Sequence, residues 1–166
     1  DPDADRLAVA ARKEDGGYVQ LTGNDVGTLL GHALLSREGV GDGKRVVVSS
    51  LVSSPMLGAI AAAHGARWEE TLTGFKWIAN RGLELEADGL RFVFGYEEAL
   101  GYTVGTVVRD KDGVSAALVF ADLAARCHAE GRSVLDELDV CARRYGLYLS
   151  RQVSVTKKGE EGAAAI

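Results

Sequence analysis

Three carboxylates at alternate positions, followed at once by a guanidinium, form the run Asp1-Pro2-Asp3-Ala4-Asp5-Arg6. Crowded in a poorly solvated loop, such charges repel one another and call for a cation among them. Hard carboxylate oxygens suit Mg²⁺ or Ca²⁺. Pro2 fixes one φ angle, and the small Ala4 lets the backbone turn the three side chains onto one ion. An EF-hand loop would need Gly at its sixth position and Glu at its twelfth, where this chain has Arg6 and Arg12. Taken alone, the run is equally compatible with a solvated acidic turn.

Two later stretches carry complementary chemistry. Leu72-Thr73-Gly74-Phe75-Lys76 joins a hydroxyl, a glycine and an expected helix amino end, which together can hold a phosphate or a sugar hydroxyl. A plain helix cap would use the same residues. Glu97 and Glu98 follow the apolar residues Phe92 to Phe94 and lie between Gly95 and Gly101. A carboxylate there can accept two hydrogen bonds from the vicinal hydroxyls of a hexose, while Glu98 is expected to form an ion pair with Lys111 or Arg109. His32, His64 and His128 have no second histidine at ligand spacing and are read as structural or solvent-facing.

The elements that must position these residues follow from periodicity and caps. Leu7–Ala11 and Tyr18–Leu21 are β-compatible runs joined by a tight turn over Lys13–Gly17. Thr22 and Asp25 make a capping-box pattern for a helix that Gly39 stops. Arg45–Ser50 reads as a strand buried on both faces. Ser54 and Pro55 then start a helix ended by Gly65, and Arg67–Thr71 is a second strand, giving a βαβ unit. A short helix is expected over Phe75–Asn80 and a third strand over Leu90–Phe94. A long helix over Asp112–Glu130 is expected to bury Val114, Ala117, Leu118, Ala121 and Ala125. A last helix starts at the Ser133/Asp136 capping box with Leu135, Leu138, Cys141 and Ala142 inward, and a strand-like run spans Leu147–Val155. The fold class is α/β: a mostly parallel, mixed sheet with helices on both faces, preceded by a small β-β-α remnant of another domain. The expected division is 1–42, 43–148 and 149–166. In open α/β sheets ligands sit beyond the carboxyl ends of the strands, where Thr73, Gly74, Glu97 and Lys111 fall.

At 166 residues the chain can bury one good core, and 46% hydrophobic with 26% charged residues is ordinary for a globular protein. A net charge of −5 with scattered Lys and Arg argues against nucleic acid as a partner. Cys127 and Cys141 fall within helix-like stretches and are expected to be buried thiols. With no signal peptide and no run of about 18 apolar residues, the expected location is the cytoplasm and no membrane partner is expected. A chain opening on Asp1 and closing on Gly162-Ala-Ala-Ala-Ile166 is expected to be part of a longer protein.

The run Asp1 to Arg6 resembles the metal-binding loop of the α-D-phosphohexomutases, the phosphoglucomutase and phosphomannomutase enzymes. Three further stretches match in the family's order: Thr22-Gly-Asn-Asp-Val-Gly27, Thr73-Gly-Phe-Lys76, and Gly95-Tyr-Glu-Glu-Ala-Leu-Gly101 leading to Arg109-Asp-Lys-Asp-Gly113. The resemblance implies that Asp1, Asp3 and Asp5 hold Mg²⁺ and that Arg6 and Lys111 neutralise a moving phosphoryl group. It also implies that Thr73 and Gly74 contact the intermediate and that Glu97 grips the sugar. Ala99 stands where the family has a serine, so a hydroxyl contact is lost there. The implied reaction moves a phosphoryl between the 1- and 6-positions of a hexose phosphate, through a phosphoserine and a hexose 1,6-bisphosphate. The serine loop and the terminal phosphate loop of the family are not in this sequence. The chain is therefore expected to depend on the other domains of its parent and to be inactive alone. A non-catalytic phosphosugar-binding module is the alternative; a haloacid-dehalogenase-type phosphatase fits less well, since Arg6 follows Asp5.

Overall fold

The computed structural model describes residues 2–37, 43–151, 153 and 156. Asp15 shapes the first turn: its carboxylate accepts from the Gly17 amide at 2.8 Å, Gly16 takes a φ of 86°, and Lys13 N–H donates to the Gly17 carbonyl. This closes an antiparallel hairpin of β1 (Ala10–Arg12) and β2 (Tyr18–Gln20), shorter than the expected runs. The Thr22 hydroxyl then accepts from the Asp25 amide while the Asp25 carboxylate accepts from the Thr22 amide, the reciprocal cap that starts α1 (Gly23–Arg37). The expected stop at Gly39 lies outside the described residues.

Strand β3 (Arg45–Ser50) is buried along its whole length. The Ser54 hydroxyl accepts from the Met56 amide at the start of α2 (Met56–Ala63), and β4 (Arg67–Thr71) pairs parallel to β3. Helix α3 (Phe75–Ala87) is twice the expected length, because residues 81–87 are mostly good helix formers and nothing breaks the pattern before Asp88-Gly89. Strand β5 (Arg91–Glu97) runs on to Glu97 and turns through Glu98-Ala99-Leu100 into β6 (Gly101–Val104), a strand with too short an apolar run to be read from sequence. Leu100 takes a left-handed φ of 67° in that turn. Helices α4 (Gly113–Ala129) and α5 (Val134–Tyr145) start on the Asp112 cap and on the reciprocal Ser133/Asp136 cap. Residues 147–151 form no strand.

The main sheet has the order β4-β3-β5-β6, with β3 parallel to both β4 and β5 and β6 antiparallel to β5. A bulge between Val46 and Val47 pairs Val46 with Phe92 and Val47 with Phe94. Val46 and Phe92 thus face α3 with Phe75, Ile78 and Leu85. Val47 and Phe94 face the larger core built with Leu29, Leu57, Phe120 and Leu123. Helices therefore cover both faces. Helix α1 lies before residue 42, yet Val26, Leu29 and Leu30 are fully buried in that same core with Leu57 and Tyr96. The residues on either side of 38–42 share one interior.

The phase of α4 differs from the expected one. Ala116, Val119, Phe120, Leu123 and Cys127 are buried, whereas Val114 and Leu118 are 68% and 72% exposed. The helix has apolar residues on two faces, and the face carrying Phe120 buries more carbon against the sheet. Leu135 and Leu138 of α5 are only partly buried; Glu137, Cys141 and Tyr145 are the buried positions. Both cysteines are buried free thiols, and burial pushes Cys141 up to about 12. No helix among the described residues is long and apolar enough to cross a membrane.

His32 and His64 join α1, α2 and α5 through one hydroxyl. Tyr145 Oη lies 2.9 Å from His32 Nδ1 and 3.0 Å from His64 Nε2, and His32 Nε2 lies 3.2 Å from Glu137, which Arg132 also holds. Burial holds both imidazoles below the ordinary histidine range, against the pull of Glu137 on His32 and with the push of Arg144 and Arg45 on His64. Histidines depressed in the fold take up protons first in the unfolded chain. Their contribution is complete above the unfolded value of about 6.5 and is lost as pH falls below it. The melting temperature of the chain is expected to drop between about pH 7 and pH 5, and to drop less in a His32→Gln, His64→Gln double variant. Calorimetry showing equal slopes for the two proteins would contradict this.

Candidate sugar-phosphate site

Four segments meet at the carboxyl end of the sheet: the β4–α3 loop, the β5–β6 turn, the approach to α4, and residues 4–7 from the amino end. Gly74 takes φ 110°, a left-handed conformation suited to glycine, and its N–H donates to Glu97 Oε1 at 2.6 Å. Thr73 beside it is exposed. Glu97, the last residue of β5, is the Cα partner of Gly101 on β6. Gly101 has no room for a side chain, since a Cβ would lie 2.8 Å from Lys111 Cδ and 3.3 Å from the Phe75 ring. Lys111 thus packs over Gly101 one strand away from Glu97, with its Nζ 5.5 Å from the Phe75 ring centre.

Lys111 Nζ pairs with Asp5 Oδ2 at 3.0 Å and with Asp110 Oδ1 at 3.3 Å. Partial burial disfavours its charge, but the hydrogen bonds to Asp5 and Asp110 outweigh that and hold it above the ordinary lysine range. It is a cation throughout the physiological pH range. The acidic loop is stitched on by its backbone as well: Leu7 N–H donates to Leu100 O, Gly113 N–H donates to Ala4 O, and Arg6 bridges Gly101. A Cβ on Gly113 would lie 2.4 Å from Arg6 O, so only glycine permits this approach.

Of the residues singled out in the sequence, Asp5, Lys111, Gly74 and Glu97 thus come together, with Arg6 alongside. Asp3 and Ala99 are exposed, and Asp1 lies outside the described residues. Among the described residues no three metal-ligating side chains converge. Asp5 Oδ1, however, is buried and accepts no hydrogen bond, with Arg6 Nε 3.7 Å away. A hard oxygen without a donor fits a divalent cation site.

Glu98 departs from the expected ion pair. Arg109 pairs with Glu86, and Glu98 Oε2 instead accepts from the Ser50 and Ser53 hydroxyls, each at 3.1 Å. Asn24, quoted in the Thr22–Gly27 run without a role, accepts from the Ser54 amide at 2.8 Å and from Tyr96 Oη at 3.2 Å, tying α1 to the β3–α2 loop. For Ser50 and Ser53, which were missed, the sequence signal is the clustering of Ser49, Ser50, Ser53 and Ser54 at the end of a buried strand.

Residues 22–145 match the family described as phosphoglucomutase/phosphomannomutase, alpha/beta/alpha domain III. The chain belongs to the phosphoglucomutase/phosphomannomutase family. It is 45% identical over 157 residues to a probable phosphomannomutase of Haemophilus influenzae, covering 93% of this chain and 30% of that protein. It is 42% identical over 156 residues to phosphopentomutase of Mus musculus, covering 90% of this chain and 25% of that protein. The crystal structure of pp63/parafusin, a phosphoglucomutase from Paramecium, superposes with a TM-score of 0.65 at 23% identity, over 89% of this chain and 24% of that one, a likeness of fold. The chain thus spans 24% to 30% of the length of these mutase relatives.

Proposed function

We propose that this chain is the sugar-gripping α/β unit, with the metal loop at its amino end, of a magnesium-dependent phosphohexomutase that interconverts hexose 1- and 6-phosphates in the cytoplasm. The observation that carries this reading is the Asp5–Lys111 pair packed against Gly101, directly across the strand pair from Glu97. It supports the reading by bringing an acid, a cation and the Glu97 carboxylate to one sheet end.

In this reading Asp1, Asp3 and Asp5 hold Mg²⁺, which when bound supplies positive charge beside the phosphoryl group. Lys111 and Arg6 add fixed cations where negative charge moves, the main requirement of phosphoryl transfer. Glu97, with one oxygen fixed by Gly74, offers its other oxygen to a sugar hydroxyl. Thr73 and the amino end of α3 face a phosphate or hydroxyl, and Ala99 leaves that edge of the sugar without a hydroxyl partner. The phosphoserine and the remaining phosphate contacts come from other domains of the parent protein, through a hexose 1,6-bisphosphate intermediate.

The test is conversion of glucose 1-phosphate, mannose 1-phosphate and ribose 1-phosphate by the full-length protein with Mg²⁺. At least one hexose phosphate is expected to be interconverted, and Glu97→Ala is expected to raise its KM by about tenfold or more. Turnover of ribose 1-phosphate alone would move the assignment to a pentose phosphate, the substrate class in the name of the mouse relative. No interconversion, with micromolar binding of hexose 1,6-bisphosphate, would replace the enzyme by a non-catalytic phosphosugar-binding module.

A further inference from the structure

We propose that Glu98 is a positioning residue for Glu97, acting through a latch with Ser50 and Ser53; the proposal rests on the phosphosugar reading above. Glu97 and Glu98 are consecutive at the end of β5 and turn to opposite sides. Glu97 reaches the β4–α3 loop, and Glu98 reaches the β3–α2 loop.

Ser50 and Ser53 are buried, and their hydroxyl oxygens lie 2.7 Å apart. Each is 3.1 Å from Glu98 Oε2, and Ser53 Oγ also accepts from the Glu98 amide at 3.1 Å. Two hydroxyl protons serve three oxygen contacts, so whichever way the serines point, at least one proton ends on the carboxylate. Removing either Glu98 or Ser53 therefore strands a buried polar group, which the turn must move to satisfy.

The turn is held at two other points. The Glu98 carbonyl packs against Gly23, 1.8 Å from where a Cβ would be, and the Leu100 carbonyl accepts from Leu7 N–H, while Leu100 keeps its left-handed φ. Such a conformation persists only when its surroundings over-determine it. The Glu98 latch is the side-chain member of that set and the one adjacent to Glu97. It fixes where the free oxygen of Glu97 waits for the sugar, a pre-organisation that affects binding more than the chemical step.

Kinetics of the full-length protein test this. Ser53→Ala and Glu98→Ala are expected to raise KM for the hexose phosphate about tenfold while kcat changes less than about threefold. Glu98→Gln, which keeps an accepting oxygen for the serines, is expected to restore KM to within about twofold of wild type. Leu123→Ala, in the core of α4 away from the turn, is expected to lower the melting temperature and leave KM alone. Ser53→Ala is the milder change and carries the test if Glu98→Ala does not fold. Unchanged KM in Ser53→Ala, or the same rise in Leu123→Ala, would overturn the latch while leaving the phosphosugar reading intact. Wild-type protein without mutase activity would remove both.

Discussion

Asp5→Asn in the full-length protein is expected to lower phosphosugar interconversion by more than about a hundredfold, with little change in melting temperature. The substitution keeps the shape of the side chain and removes its charge. Two consequences follow from the geometry. The buried Oδ1, which accepts no hydrogen bond, ceases to be an anionic ligand, and Lys111 loses the partner 3.0 Å from its Nζ. Neither touches the core, because Asp5 lies in a loop whose attachment runs through the backbones of Ala4, Arg6 and Leu7. Lys111→Met separates the two effects. It is also expected to be severely slowed, but removing a cation that competes for Asp5 is expected to tighten Mg²⁺ binding in calorimetry, whereas Asp5→Asn weakens it. Turnover within about threefold of wild type in Asp5→Asn would end the assignment of the acidic loop to catalysis.

Gly23→Ala is expected to destabilise the protein by about 3 kcal/mol, lowering its melting temperature by about 10 °C. On helix propensity alone the change should help, since Ala is favoured over Gly inside helices by about 1 kcal/mol. Contact reverses the sign. The new Cβ would lie 1.8 Å from the Glu98 carbonyl oxygen and 2.6 Å from its carbon, and these are backbone atoms of a turn that cannot swing aside like a side-chain tip. The first turn of α1 or the Glu98–Leu100 turn must move, and either movement disturbs the Ser53–Glu98 contacts beside Glu97. Gly16→Ala, with open space around it but a φ of 86°, is expected to cost less. Equal melting temperatures for wild type and Gly23→Ala would show that this contact is not held in solution.

Much of the architecture is legible in the sequence because it is decided over three or four residues. The Thr22/Asp25 and Ser133/Asp136 caps are side-chain to backbone hydrogen bonds across three positions, and both form as the letters imply. The apolar triplet Val46–Val48 at the centre of Arg45–Ser50 marks a strand covered on both faces, and the strand is buried along its length. The motifs quoted for the family also lie in order along one chain, so the acidic loop, Thr73-Gly74, Glu97 and Lys111 could be named before their positions were known.

What only the tertiary structure decided are choices between local alternatives of similar strength. Helix α4 has two apolar stripes, and periodicity cannot say that Phe120 and Leu123 go inward while Val114 and Leu118 stay in water. That choice is made by the area each face buries against β6 and α1. Glu98 had two nearby cations in sequence, yet it bonds to serines 45 and 48 positions away, because β3 and β5 are neighbours in the sheet and the cations are taken by Glu86, Asp5 and Asp110. Local hydrogen bonds and propensities set which elements form and roughly where they start. Which charge meets which, and which face is dry, depends on packing between residues far apart in the chain, and that is where the candidate site takes its shape.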